Sequence, residues 1–174
     1  DREVVLAALQ EDGGVIEHAA DELKADREIV LAAGTAGGIN GFNLENADDT
    51  LKADREFVLT ALQTGQFSLN CAADELKGDR EIALAAVQQN WCALESVSDE
   101  LKADREIALA SVGANGRSIQ YVADELKADR EIVLAAVKQD GWALDSVGDE
   151  FKADREIALT AVQGEGAMLE YVAD

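Results

Sequence analysis

Apolar residues along this chain fall into two alternating patterns. One is a compact block behind a charged triplet, as in IVLAAV at 132–137 after Asp129-Arg130-Glu131. The other is a spaced set, such as Leu144, Val147, Gly148 and Phe151, at i, i+3, i+4 and i+7. The block predicts a short helix that is apolar over most of its circumference and is buried on more than one side. The spaced set predicts an amphipathic helix with Asp and Glu on its outer face. Each would run for roughly ten residues, or ~15 Å. The chain has no proline, and no strand pattern interrupts the alternation.

The two patterns together form one repeat. Asp-Arg-Glu begins at residues 1, 26, 54, 79, 104, 129 and 154, at intervals of 25, 28, 25, 25, 25 and 25. A fixed spacing of this size marks a stacked array, because one such unit cannot bury its own apolar faces. The expected fold is therefore all-α: a right- or left-handed α-solenoid of seven ~25-residue helix-turn-helix repeats. Its repeats are 1–25, 26–53, 54–78, 79–103, 104–128, 129–153 and an incomplete 154–174. Positions are numbered here from the Asp of each triplet, which is position 1. Asp at position 1 is a good N-cap and Glu at position 3 suits the positive end of the helix dipole. Position 6 is always Leu, and position 8 is always Ala or Ser, small enough for close helix approach. Asn115-Gly116 and Asp140-Gly141 suggest a left-handed glycine closing the first helix. The hexapeptide LKADRE at 23–28, 51–56, 101–106 and 126–131 reads as the joint between repeats, with its Arg placed to offset nearby acids.

The stretch DREIVLAAVKQDGWALDSVGDEFKADREIALTAV resembles the tandem repeats of domain-of-unknown-function family 4116, and the resemblance covers essentially the whole chain. It implies an array and carries no activity with it. Repeats of that family are common in unicellular algae and in amoeba-associated microbes and viruses, so a large algal assembly is one setting it implies.

Charge narrows the functions. The 174 residues hold 36 acids and 15 bases, a net charge of −21. Such a chain repels phosphate backbones and anionic membrane surfaces, so nucleic acid is a poor partner and a basic protein a better one. No apolar run reaches the ~18 residues of a membrane span, so no membrane insertion is expected. The chain starts on a repeat boundary and stops inside a repeat, which reads as a fragment of something longer. The compartment is left open.

Function in a repeat protein is expected where the pattern varies. Repeat 2 is longer by three residues and carries Gly34, Gly37, Gly38 and Gly41 in GTAGGINGFNLENADDT. This predicts an enlarged inter-helix loop behind a shortened first helix, with a ligand or partner loop as the alternative. Its acids Glu45, Asp48 and Asp49 lack the alternating spacing of a calcium loop. Positions 14 and 18 vary most, and on an α-helix they share a face. With Trp91 at position 13, they give the partner-contact candidates Phe42, Phe67, Trp91, Arg117, Tyr121, Trp142 and Tyr171. The acidic pairs at positions 21–22, such as Asp124-Glu125, predict a solvated ladder. Catalysis finds little to work with: His18 is the only histidine, Cys71 and Cys92 stand apart, and no cofactor fingerprint occurs. The expected function is a non-catalytic interaction or scaffolding module without a cofactor. The alternatives are an accessory subunit fixed in a large assembly, and cation or ligand binding through the glycine-rich segment of repeat 2.

Overall fold

A computed structural model describes residues 1–36, 44–65 and 67–172. Every regular element among them is helical, and the elements recur with the sequence repeat. Contacts divide the chain into two bodies, Asp1–Gln89 and Asn90–Asp174. The first contains α1 (Arg2–Leu9), α2 (Asp21–Lys24), α3 (Arg27–Ala36), α4 (Asp49–Lys52), α5 (Arg55–Gln63), α6 (Asp74–Lys77) and α7 (Arg80–Gln89). The second contains α8 (Asp99–Lys102), α9 (Arg105–Ala114), α10 (Asp124–Lys127), α11 (Arg130–Gln139), α12 (Asp149–Lys152) and α13 (Arg155–Gly164).

The first half of the repeat is the helix the sequence predicts. In α11, Ile132, Val133, Ala136 and Val137 are buried, while the invariant Leu134 is half-buried. α3 packs against α1 and α5 in the first body, and α11 packs against α9 and α13 in the second. α3 and α11 thus bury apolar surface on two sides, at roughly 1.5–3 kcal/mol for each large side chain. The small residue at position 8 lies at these contacts: Ala33, Ala61, Ala136 and Ala161 are fully enclosed. Ser111 occupies the same place with its hydroxyl buried and unpartnered.

The second half differs from the expected amphipathic α-helix. It is a 3-10 helix at positions 13–18, as in Gly116–Tyr121 and Gly141–Ser146, then two extended residues, then a single α-turn such as α10. Ala19 and Ala20 show the extended link, with ψ of 153° and 151°. The glycine cap is also corrected. Among the described residues only Gly65 has positive φ. Instead Asp12, Asn90, Asn115 and Asp140 turn their side chains forward and accept from the amide two residues on, capping the 3-10 helix. This local bond competes with continuation of the α-helix.

The glycine that follows has a packing reason. A Cβ on Gly116 would fall on the carbonyl oxygen of Ala136 and lie 2.9 Å from the Asp140 nitrogen, both in the next repeat. A Cβ on Gly141 would stand 3.0 Å from the Ala161 oxygen. Nothing lies within 4 Å of the Cβ direction at Gly166.

The joint is built on one carboxylate with two tasks. Oδ1 of Asp79 accepts from the amides of Glu81 (3.0 Å) and Ile82 (3.1 Å), capping α7. Its Oδ2 accepts from Arg55 Nε of the preceding repeat at 2.7 Å, and the same guanidinium reaches Glu81 at 2.5 Å. Arg2 pairs likewise with Asp26 and Glu28, Arg27 with Asp54, Arg105 with Asp129 and Glu131, and Arg130 with Asp154 and Glu156. In these five joints the Arg therefore offsets acids of the next repeat, in the forward direction. The backbone adds a bond: the amides of Asp48, Ala73 and Ala123 donate to the carbonyls of Lys24, Lys52 and Lys102 one repeat back, at 2.9–3.1 Å. The acidic ladder is partly neutralised, because Lys52, Lys77, Lys102, Lys127 and Lys152 each pair with the Asp three residues earlier.

Two outcomes follow from this packing. Gly116→Ala should lower stability by roughly 1–3 kcal/mol through overpacking, Gly141→Ala by less, and Gly166→Ala should be neutral; thermal melts of the three variants check the order. Acid provides the second. The Arg55 guanidinium holds the Asp79 carboxyl below its usual range, and Arg130 does the same for Asp154. The Phe57 amide leads the same effect at Asp54. A carboxylate depressed in the folded state stabilises above its unfolded pKa of about 3.9, and the gain is lost as pH falls through the folded value. Melting followed by circular dichroism should hold steady or rise from pH 7 toward about 4.5 as the negative charge is relieved, then fall below about 4.

Candidate interaction surface

The residues singled out in the sequence do not stay together. Phe42, Gly37, Gly38 and Gly41 lie outside the described residues. Gly34 is no loop residue. It lies within α3, which keeps the ten-residue length of α7, α9, α11 and α13 and is not shortened. A Cβ there would sit 2.5 and 2.8 Å from ring carbons of Phe67. Position 9 is Leu or Val in the other repeats, so Gly34 vacates a core site and Phe67, one repeat later, fills it. The Phe67 ring is 7% exposed and meets Phe57 edge-on at 6.4 Å. Phe67 is thereby removed from the contact candidates: it belongs to the core.

The second-body candidates do gather, though by a different geometry from the one expected. In a 3-10 helix positions 14 and 18 of one repeat stand about a third of a turn apart, so they do not share a face. The alignment arises between repeats. Trp142 meets Tyr171 of the next repeat at 5.6 Å, edge to face, and Trp91 meets Tyr121 of the next at 6.3 Å. The successive 3-10 helices Trp91–Ser96, Gly116–Tyr121 and Gly141–Ser146 pack side by side and carry Trp91, Tyr121 and Trp142, while Tyr171 follows the next one, Gly166–Glu170. Between the tryptophans lies an open depression of about 490 Å³, lined by Trp91, Arg117, Gln120, Trp142, Asp145 and Ser146.

Its polar groups are held in place. Asp140 repeats the two-task arrangement of the joint: Oδ1 accepts from the Trp142 amide at 2.9 Å and Oδ2 accepts from Arg117 Nε at 2.7 Å. Asn115 caps the Arg117 amide at 2.9 Å. Arg117, half exposed at the lining of the depression, is thus held with its charge matched. Burial and then the nearby Glu95 push the Tyr121 hydroxyl up, so it remains a neutral donor. Ser146 belongs to the position 18 column, whereas Gln120 and Asp145, at position 17, lie outside the residues singled out in the sequence. The signal was present at position 17, where Glu17, Glu45, Glu95, Asp145 and Glu170 are all acidic and exposed.

The corresponding 3-10 face of the first body is polar. Glu45, Lys52, Ser68, Asn70 and Cys71 line its groove. Burial, with Glu45 beside it, pushes the Cys71 thiol up, and burial followed by Glu95 does so for Cys92; both thiols are free. Asp48 caps α4, bonding the Thr50 amide and hydroxyl, and Asp49 pairs with Lys52. His18 lies beside Glu17 on the exposed surface. Among the described residues no three His, Cys, Asp or Glu side chains form a group able to hold a metal ion, and no helix is long and apolar enough to cross a membrane.

A family model described as a domain of unknown function, DUF4116, matches residues 1–35, 38–77, 54–102, 79–127, 104–152 and 129–174. The chain belongs to the DUF4116 family. From 38–77 onward successive matches overlap, and those starting at 54, 79, 104 and 129 advance by one repeat while covering nearly two. The DUF4116 unit thus spans two repeats, which is the span of each Arg–Asp joint. No curated protein and no solved structure matches the chain.

The Gly34–Phe67 exchange yields its own test. Phe67→Ala should cost about 3–5 kcal/mol. Adding Gly34→Val, the residue type at position 9 of repeats 4 to 7, should recover part of that loss. Urea unfolding of the single and double variants measures the coupling.

Proposed function

We propose that this DUF4116 array is a non-catalytic protein-interaction module whose C-terminal body takes an extended basic segment of a partner protein. The observation that carries the reading is the pair of aromatic contacts, Trp91–Tyr121 and Trp142–Tyr171, whose two tryptophans line one open depression together with Asp145. Tryptophan faces attract Lys and Arg cations by roughly 0.5–2 kcal/mol each. Glu95, Asp145 and Glu170 supply matching charge, and the net charge of −21 steers a cationic partner toward the surface. The two pairs are two repeats apart, ~20 Å at ordinary helix spacing, which an extended peptide of about six residues spans. The tryptophans are half-buried, and fixed aromatics of this kind lose little side-chain entropy on binding.

The test is titration of the chain's tryptophan fluorescence with an extended heptapeptide of alternating Arg and Ser. Saturable quenching that weakens with salt is expected. Trp142→Ala and Asp145→Lys should each lower affinity by about tenfold, equivalent to ~1.4 kcal/mol. No saturation, or equal response to a Glu-Ser peptide, would sink the proposal.

A further inference from the structure

Arg117 copies the joint between repeats and completes only half of it. At the joint, Asp79 caps the amide of Glu81 through Oδ1, and its Oδ2 accepts from Arg55 Nε at 2.7 Å. The same guanidinium then reaches through Nη2 to the Glu81 carboxylate at 2.5 Å. Arg130 repeats this on Asp154 and Glu156, at 2.9 and 2.6 Å. Asp140 caps the amide of Trp142 in the same way and accepts from Arg117 Nε at 2.7 Å. Here the residue with the capped amide is Trp142, so an indole stands where the joint has its second carboxylate. Among the described residues, Asp140 is the one acid in an ion pair with Arg117. A guanidinium carries five N–H donors in a fixed fork, and the joints show that its Nη2 corner takes a carboxylate when one is supplied. The Arg117 side chain is 53% exposed and lines the depression together with Trp91 and Trp142.

We propose that the partner segment carries one Asp or Glu side chain between its cations, and that the open corner of the Arg117 guanidinium binds that carboxylate. The proposal rests on the basic-segment function above and names the residue that sets the register of the segment. Trp91, Arg117 and Trp142 belong to three successive repeats, at positions 13, 14 and 14. At ~10 Å per repeat, Arg117 stands midway between the two tryptophans. A polyproline II strand rises ~3.1 Å per residue with three residues per turn, so every third side chain returns to one side at ~9 Å intervals. A partner in this form places a cation, an acid and a cation, each three residues apart, over Trp91, Arg117 and Trp142. Asp145, which also lines the depression, serves the cation at the Trp142 end. A single carboxylate leaves the segment net basic, which suits a chain of net charge −21. Its pairing with the guanidinium is a charge-assisted hydrogen bond, among the stronger polar contacts a surface can make.

The test compares three heptapeptides by the tryptophan fluorescence of the intact chain. They are Arg-Ser-Arg-Ser-Arg-Ser-Arg, the same peptide with Glu at its fourth position, and the isomer with that Glu at its second. The two Glu peptides have equal charge, and in both the Glu lies between two arginines. The fourth-position peptide should bind about tenfold more tightly than its isomer. Arg117→Gln should bring the two within about twofold of each other, with circular dichroism unaltered. Equal affinity of the two Glu peptides in the unaltered chain, or a tighter isomer, overturns the proposal, and the basic-segment function then stands if the Glu-free peptide saturates. If no peptide saturates, both fall. A preference for the fourth-position peptide that survives in Arg117→Gln also overturns the proposal.

Discussion

No repeat of this chain can hide its own apolar side chains. A long helix with burial on two sides needs a neighbour before it and another after it, and α3 and α11 each have both. The apolar burial is the large favourable term, and it is unavailable to one 25-residue segment whose ordering costs about 1–2 kcal/mol per residue for the backbone alone. Other features serve to bring the next repeat to the right place. Exposed ion pairs contribute only ~0.2–1 kcal/mol each, so the Arg–Asp joints add little to stability and much to register. They do so because the accepting carboxylate is already fixed by the cap of its own helix.

Much of the fold was open to reading in the sequence. The period, the position 1 cap, the covered face of the first helix and the small residue at position 8 are local signals, and each has a local cause. The second half was misread because Leu144, Val147, Gly148 and Phe151 fit α-helical spacing while the chain divides them among a 3-10 helix, a link and a turn. Asn115-Gly116 and Asp140-Gly141 were read as left-handed stops for a related reason. The Asn or Asp is the active partner, capping forward, and the Gly answers to a carbonyl in another repeat.

The candidate surface was legible as a set of residue types and not as a geometry. Position 14 of one repeat meets position 18 of the next, as at Trp142 and Tyr171, and no spacing within a repeat reveals that. Phe67 shows the same limit from the other side. An aromatic residue at a variable position is drawn into the core by a glycine thirty-three residues earlier, so its variability records a repair of packing. The tryptophans have no such vacancy to fill, and they remain at the surface beside acids.

The forward direction of the joints has a consequence for how such a chain changes over generations. In the five joints described, the donor Arg faces the C-terminal side and the accepting Asp the N-terminal side. A coding segment for one whole repeat can be deleted or copied, and the edges still match, since each repeat offers at position 2 what the next accepts at position 1. A change of 25 residues is therefore milder than a change of one or two, which would separate an arginine from its aspartate and turn an apolar side chain to water. The 28-residue repeat marks the exception: its three additional residues leave the Arg27–Asp54 joint intact.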